Sequence, residues 1–150
     1  MLTFKVEKWD EFYPDAKELF PLHWREIALW QDKYGPDIDT ERYKQLSDLG
    51  ILFILTVRCD VKLVGYLVAL LMPHLHYKSA GTMALIDLYY VRPDYRSGTG
   101  TRMFMRFESE MRKCGVVQLL GSCKVHLDHS KLFQAMGWQH TDHTFSKPLI

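Results

Sequence analysis

The sequence has little of what would mark a nucleic-acid-binding or disulfide-stapled protein. Its 19 Lys+Arg and 18 Asp+Glu leave a formal charge of +1, so no basic excess indicates nucleic acid as a partner. Its three cysteines, Cys59, Cys114 and Cys123, have no CxxC spacing, and their odd number leaves one outside any internal bridge. We therefore expect a reducing compartment, the cytoplasm.

Long hydrophobic runs are also missing. The first residues, MLTFKVEKWDEF, contain no apolar core of signal length, and the most apolar run, residues 63–72, is about half the length needed to cross a bilayer. These features predict neither secretion nor a membrane partner. What is present is ordinary globular composition, 47% hydrophobic and 25% charged over 150 residues, which we expect to form one domain spanning 1–150.

Hydrophobic periodicity predicts a chain of mixed α/β or α+β class. Residues 2–8 alternate as a short strand, and helical spacing over 14–34 is interrupted by Pro21, which predicts two short helices or one kinked helix. A third helix is predicted from Thr40 to Leu49, capped by Asp39. The remaining elements are predicted as strands at 51–58, 63–72 and 82–91, a helix after residue 100, a strand at 116–125, a helix at 128–136 and a closing strand at 138–147. This order predicts a mixed sheet with helices on both faces.

The most informative segment is YRSGTG (95–100), which joins a buried strand to an amphipathic helix. Its glycines, with Ser97, Thr99 and Thr101, leave backbone amides free at the positive end of the helix dipole, where a pyrophosphate could bind. Arg96 would add a charged donor. The segment is neither a Walker loop nor a complete dinucleotide fingerprint, because it lacks Gly-Lys-Ser/Thr and a third glycine. The alternative is a glycine-containing turn with no ligand.

The order of these motifs resembles the GNAT superfamily of acetyl-CoA-dependent N-acetyltransferases. DLYYVRP, YRSGTG, an amphipathic helix, a strand and LFQAMGW follow one another as in that family. The family's loop reads Arg/Gln-x-x-Gly-x-Gly/Ala; here Arg96 matches, but the glycines fall one place early, with Thr99 and Thr101 at the usual positions. The segments HWREIA, PHLHY and SK-x-L resemble a branch common in phage and proteobacterial genomes, which would place a phage-encoded protein in the host cytoplasm.

The resemblance implies a mixed, mostly antiparallel sheet that is splayed in the middle and binds acetyl-CoA as co-substrate, without a metal. Backbone groups of Tyr90 and Val91 would pair with the pantetheine arm. The pyrophosphate would be held by the loop residues Arg96, Ser97, Gly98, Thr99, Gly100 and Thr101. His126 and Phe133 stand where relatives commonly carry an asparagine and a proton-donating tyrosine.

The implied reaction is direct attack of a primary amine on the thioester, which needs a base to remove the amine's proton. Asp87 is the first candidate, because it interrupts the apolar run LIDLYYV four residues before Val91. A structural aspartate, bonded to loop amides or to an arginine, is the alternative. His76 is the second candidate, since PHLHY ends the strand expected beside Asp87; a surface histidine is its alternative.

The acceptor pocket would be walled by the helix that carries His23, Trp24 and Glu26. His23 and Glu26 are three residues apart and so share a helix face, although a histidine packed against Trp30 is the simpler interpretation. Metal chemistry is not indicated, because spacings such as His74-x-His76 lack the CxxC or HExxH pattern.

We therefore predict an N-acetyltransferase acting on a small-molecule or protein amine. The alternative is a GNAT-fold protein that has lost catalysis and serves as a binding or virion-associated module. Relatives often dimerise, which leaves a homodimer open.

Overall fold

A computed structural model describes residues 1–150 and contains five strands and five α-helices. The strands are β1 (Leu2–Glu7), β2 (Leu52–Cys59), β3 (Lys62–Pro73), β4 (Thr82–Val91) and β5 (Val116–Leu120). The helices are α1 (Trp9–Ala16), α2 (Phe20–Ile27), α3 (Thr40–Asp48), α4 (Thr99–Lys113) and α5 (Ser130–Ala135).

The strands form one sheet in the order β1-β2-β3-β4-β5. The first three pairings are antiparallel, and β4 pairs with β5 in parallel through the crossover helix α4. Nearly every residue of 52–57 and 63–69 is buried, which explains why β2 and β3 read as continuous apolar runs. The predicted fold class, a mixed and mostly antiparallel sheet with helices, is confirmed.

The helices α3 and α4 form where local signals predicted them. The Asp39 carboxylate accepts a hydrogen bond from the Arg42 amide at 2.9 Å, which caps the start of α3. Along α4 the buried side chains Met103, Phe104, Phe107 and Met111 recur at helical spacing, and the Phe107 ring lies 5.9 Å from that of Phe53 on β2.

The segment predicted as helical over 14–34 contributes to two short helices, which was one of the two alternatives. The predicted ends of these helices were wrong. The first helix, α1, begins at Trp9 and contains Pro14, which removes one intrahelical amide without ending the helix. The second, α2, stops before Ala28, whose backbone is extended. The Gln31 side-chain amide then donates to the carbonyls of Arg25 and Ala28, both at 3.0 Å, so one of the last carbonyls of α2 has a partner without further helix.

The predicted closing strand at 138–147 is wrong, and β5 stops at Leu120 rather than 125. The segment has only Trp138 and Phe145 as large apolar side chains, and Phe145 is 91% exposed. With no alternating apolar face to bury, the segment lacks the main reason to join a sheet.

The chain divides into two compact units. The first, residues 1–17 and 39–121, contains the whole sheet with α1, α3 and α4. The second, residues 18–38 and 122–150, contains α2 and α5. One domain over 1–150 stays a prediction. No helix combines the length and hydropathy needed to span a membrane.

Candidate active site

The second half of β4 has an open edge on the side of β5. Pairing between the two strands runs from Thr82 opposite Val116 to Leu85 opposite Leu120 and then ends. On its other side β4 stays paired with β3 as far as Val91. Residues 86–91 therefore have no strand paired with them on this side of β4, and the splay that the resemblance implied stays a prediction.

The loop after β4 leaves several backbone amides unused at the start of α4. Gly98 precedes the helix with φ +75°, and no side chain caps the helix. The first intrahelical donor is the Arg102 amide, which bonds the Gly98 carbonyl at 3.2 Å. The amides of Thr99, Gly100 and Thr101 consequently have no partner within the helix. A Cβ added at Gly98 or Gly100 would meet nothing within 4 Å, so the protein leaves open space here.

Arg96 fastens this loop to the end of β4. Its Nε donates to the Val91 carbonyl at 2.8 Å, and its guanidinium lies 5.5 Å from the centre of the Tyr90 ring. The two predicted pantetheine residues and the predicted pyrophosphate donor are thus neighbours. Ser97 is exposed beside them, and their roles toward acetyl-CoA stay predictions.

Asp87 is the extra residue of a β-bulge on β4. Val68 pairs with Leu88, whereas the next residue on β3, Ala69, pairs with Ile86, so Asp87 has no residue opposite it. A bulge re-aims the side chain it carries, and Asp87 is exposed although its neighbour Ile86 is buried.

The partner of the Asp87 carboxylate is a phenol from α3, not a loop amide or an arginine. The Tyr43 hydroxyl donates a hydrogen bond to Oδ2 of Asp87. Burial, the hydrogen bond and the charge of Asp87 all raise the pKa of Tyr43 well above its usual range. The phenol therefore keeps its proton and acts as a permanent donor.

Sequence reasoning missed Tyr43, which is held by an aromatic stack. The Trp9 ring lies 4.9 Å from the Tyr43 ring at an interplanar angle of 8°, and the Trp9 amide donates to Ser47 Oγ at 3.2 Å. Tyr43 and Ser47 are four residues apart on α3, so one helix face receives both contacts. That spacing, with Trp9 opening α1, was the only sequence signal available.

The segment PHLHY ends β3, and β3 pairs with the strand of Asp87 as expected, but His76 itself lies beyond that pairing and its role as a base stays a prediction. The β3–β4 ladder ends at Pro73 opposite Thr82, and His76 follows in the connection between the strands, where it is exposed. Thr82 is five residues before Asp87, which corresponds to ~16 Å along a strand. The histidine comes after the end of the strand, so it shares no register position with Asp87.

The other predicted residues belong to the second unit. On α2, His23 is 4% exposed, and Trp24 and Glu26 are partly buried. His126 Nε2 lies 3.4 Å from the Glu26 carbonyl oxygen, so two predicted residues meet here. Phe133 is buried, with its ring 5.0 Å from that of Trp138.

The AMGW motif forms a turn in this unit. Gly137 has φ +86°, a conformation that favours glycine, and the Trp138 amide donates to the Phe133 carbonyl at 2.9 Å. No three His, Cys, Asp or Glu side chains come together as a metal-binding group in the chain.

Solved structures share this fold over nearly their whole length. A predicted acetyltransferase from Clostridium acetobutylicum, solved with acetyl-CoA, is 17% identical, with a TM-score of 0.71 and coverage of 99% of this chain and 97% of that one. An aminoglycoside acetyltransferase from an uncultured soil metagenomic sample, in complex with sisomicin, is 16% identical, with a TM-score of 0.73 and the same coverage. A ribosomal-protein-alanine N-acetyltransferase from Brucella melitensis biovar Abortus 2308 is 18% identical, with a TM-score of 0.66 and full coverage of both chains.

None of the curated proteins matches the chain significantly. None of these comparisons supports a narrower phage or proteobacterial branch. The sequence itself, however, matches the acetyltransferase (GNAT) family over residues 9–138, which includes β4, the loop, α4 and the AMGW turn. The chain belongs to the GNAT acetyltransferase family.

Proposed function

We propose that this protein transfers an acetyl group from acetyl-CoA to a primary amine by direct attack. The observation that carries the proposal is one continuous stretch of chain. Within residues 86–101 it combines an open strand edge, a carboxylate on a bulge and a helix N-terminus with three unused amides.

The residues present fit the donor. A pyrophosphate needs amide donors and a positive potential, and Thr99, Gly100 and Thr101 supply both at the start of α4. The pantetheine arm carries amides that can pair with an open strand edge, and residues 86–91 offer one next to the loop. The side chain of Arg96 bonds the Val91 carbonyl and would hold the loop at a fixed position relative to the end of the strand edge.

Acetyl-CoA, when bound, supplies an acetyl group activated as a thioester. The acceptor amine forms a bond to the carbonyl carbon, the carbon–sulfur bond breaks, and the sulfur leaves with the bonding electrons. An ammonium has no lone pair, so a base must first take a proton from the acceptor. Asp87 is the base we assign, because its carboxylate is exposed at the open part of the strand and uses only Oδ2 for Tyr43.

The departing thiolate has no tyrosine proton donor at the usual family position. Phe133 occupies that position, and a phenyl ring has no proton to give. A thiol with a pKa of roughly 8.5 is a tolerable leaving group, so solvent can complete the step. The proposed turnover is therefore modest.

The acceptor is a small-molecule or protein amine. One structural neighbour is an aminoglycoside acetyltransferase solved with sisomicin, and another is a ribosomal-protein-alanine N-acetyltransferase. Both kinds of amine thus belong in a test panel, whereas the net charge of +1 gives no steering field that favours either. His23, Trp24 and Glu26 are the side chains we propose for the acceptor.

The test combines binding with turnover. Isothermal titration with acetyl-CoA should show binding at micromolar level or tighter, and release of the coenzyme A thiol should be followed with spermidine, sisomicin, alanine, an alanine-starting peptide and a lysine peptide. The matched variant Asp87→Asn should keep the affinity for acetyl-CoA but lower the acetylation rate by roughly 10²-fold, because an amide cannot accept the proton.

Two results would contradict the proposal. Absence of binding heat would favour the catalytically silent alternative. Normal turnover by Asp87→Asn would show that a water chain or another group, and not Asp87, removes the proton.

A further inference from the structure

We propose that Tyr43 is a positioning residue of the active site, whose phenol holds the Asp87 carboxylate in the orientation that proton removal requires. This inference rests on the proposed function, since it assigns a second residue to the same step. It also assigns a purpose to α1 and α3, the helices that fix the Tyr43 ring.

A bulge gives Asp87 freedom that the rest of β4 lacks. The residue has no partner opposite it on β3, where Val68 and Ala69 pair with its two neighbours. Its side chain is exposed, so packing does not hold it. An exposed carboxylate on an unpaired backbone residue samples several rotamers unless a hydrogen bond selects one. The bond from Tyr43 to Oδ2 makes that selection and leaves Oδ1 unpaired.

Tyr43 is itself held on several sides. Its ring stacks on Trp9, which is 4% exposed. The Trp9 amide is held by Ser47 of α3, and α3 begins at a cap made by Asp39. A phenol packed in this way can orient an exposed carboxylate that has no packing of its own.

The neighbours of this pair are apolar or committed to other partners. The two β3 residues that flank the bulge, Val68 and Ala69, are apolar, and the Trp9 ring of α1 lies against Tyr43. Lys44, the residue after Tyr43, is committed at the surface to Asp10 at 2.9 Å and to Asp48 at 3.5 Å. The phenols of Tyr66 and Tyr90 are buried, and burial raises the pKa of Tyr66 well above its usual range.

The test is Tyr43→Phe, which keeps the stacked ring and removes only the hydroxyl. With the fastest amine of the five-member panel, kcat should fall roughly tenfold or more, the cost of losing a hydrogen bond to a charged group. The KM for the amine should stay within about twofold, so the loss falls on kcat alone, because the phenol bonds the carboxylate and not the acceptor. The Kd for acetyl-CoA should stay within about twofold, since Tyr43 bonds the side chain of Asp87 and not the backbone groups proposed to bind the cofactor.

Two controls separate positioning from a general loss of structure. In the Asp87→Asn background, adding Tyr43→Phe should change kcat by less than about twofold, because both changes remove the same step. Tyr77→Phe, at an exposed phenol in the β3–β4 connection, should behave as wild type.

The inference is overturned if Tyr43→Phe leaves kcat unchanged, or if it lowers kcat equally in both backgrounds. Wild-type protein that acetylates no amine of the panel would instead overturn the proposed function, and this inference with it. Active wild type whose kcat is unchanged by Tyr43→Phe refutes this inference alone.

Discussion

Gly65 lies on β3 directly opposite Val91, on the side of β4 away from the edge proposed to hold the pantetheine arm. A Cβ at this position would lie 2.9 Å from the Tyr90 carbonyl oxygen and 3.1 Å from Val91 Cγ2. Both distances are shorter than ordinary van der Waals contact, and the carbonyl belongs to a paired strand, so it cannot rotate away. The variant Gly65→Ala must push β4 aside. Overpacking of this kind should cost about 2 kcal/mol of the free energy of unfolding.

For a chain of this size, the expected loss corresponds to a fall in Tm of roughly 4–8 °C, measured by circular dichroism. The matched control is Gly35→Ala, where the new Cβ meets only Asp37 Oδ1 at 4.0 Å; its unfolding free energy should stay within about 0.5 kcal/mol of wild type. Acetyl-CoA affinity should also fall in Gly65→Ala, because Val91 is displaced. Equal Tm values for the two variants would refute the tight β3–β4 approach described here.

Three further predictions concern the loop, the leaving group and the buried phenols. Gly100→Val should weaken coenzyme A binding, measured by isothermal titration, more than Arg96→Ala does. The valine fills open space beside the amides, whereas an exposed arginine gives only a screened contact. If Arg96→Ala weakened binding more than Gly100→Val, the pyrophosphate would lie elsewhere. Phe133→Tyr should leave the acetylation rate within roughly tenfold of wild type, because a new phenol is not pre-oriented, and a rise of several hundredfold would show that the native chain is impaired in this step. Burial raises the pKa of Tyr43 and Tyr66, so the folded state binds their protons more tightly than the unfolded state does. The resulting stability is complete below pH 10 and is lost as the pH rises above that value. Urea unfolding should therefore show a smaller free energy of unfolding at pH 11 than at pH 9, and equal values would contradict this prediction.

The parts of the site that depend on neighbours in sequence could be predicted. Gly98 and Gly100 between an apolar strand and an amphipathic helix indicated the helix start and its unused amides, and both are local properties. Asp39 as a cap is equally local, because the bonded Arg42 amide is three residues away.

The parts of the site that depend on strand register could not be predicted from the sequence. The apolar run around Asp87 shows an interruption, but whether a polar residue pairs or bulges is decided by the partner strand. Tyr43 lies 44 residues from Asp87 on a largely polar helix, and no local pattern marks its phenol as a partner.

Two predictions failed because a pattern was extended too far. The helical spacing over 28–34 continued through Trp30 and Tyr34 although Ala28 is extended, and side-chain capping by Gln31 competes with the helix there. The closing strand at 138–147 was predicted from hydrophobic periodicity, but its residues after Trp138 are exposed and, apart from Phe145, polar.

The most direct test of the proposed acetyl-CoA site is a crystal structure of the protein with coenzyme A. We expect the pyrophosphate within hydrogen-bond distance of the amides of Thr99, Gly100 and Thr101, with the pantetheine arm along residues 86–91 of β4. Coenzyme A bound anywhere else on the chain would contradict it.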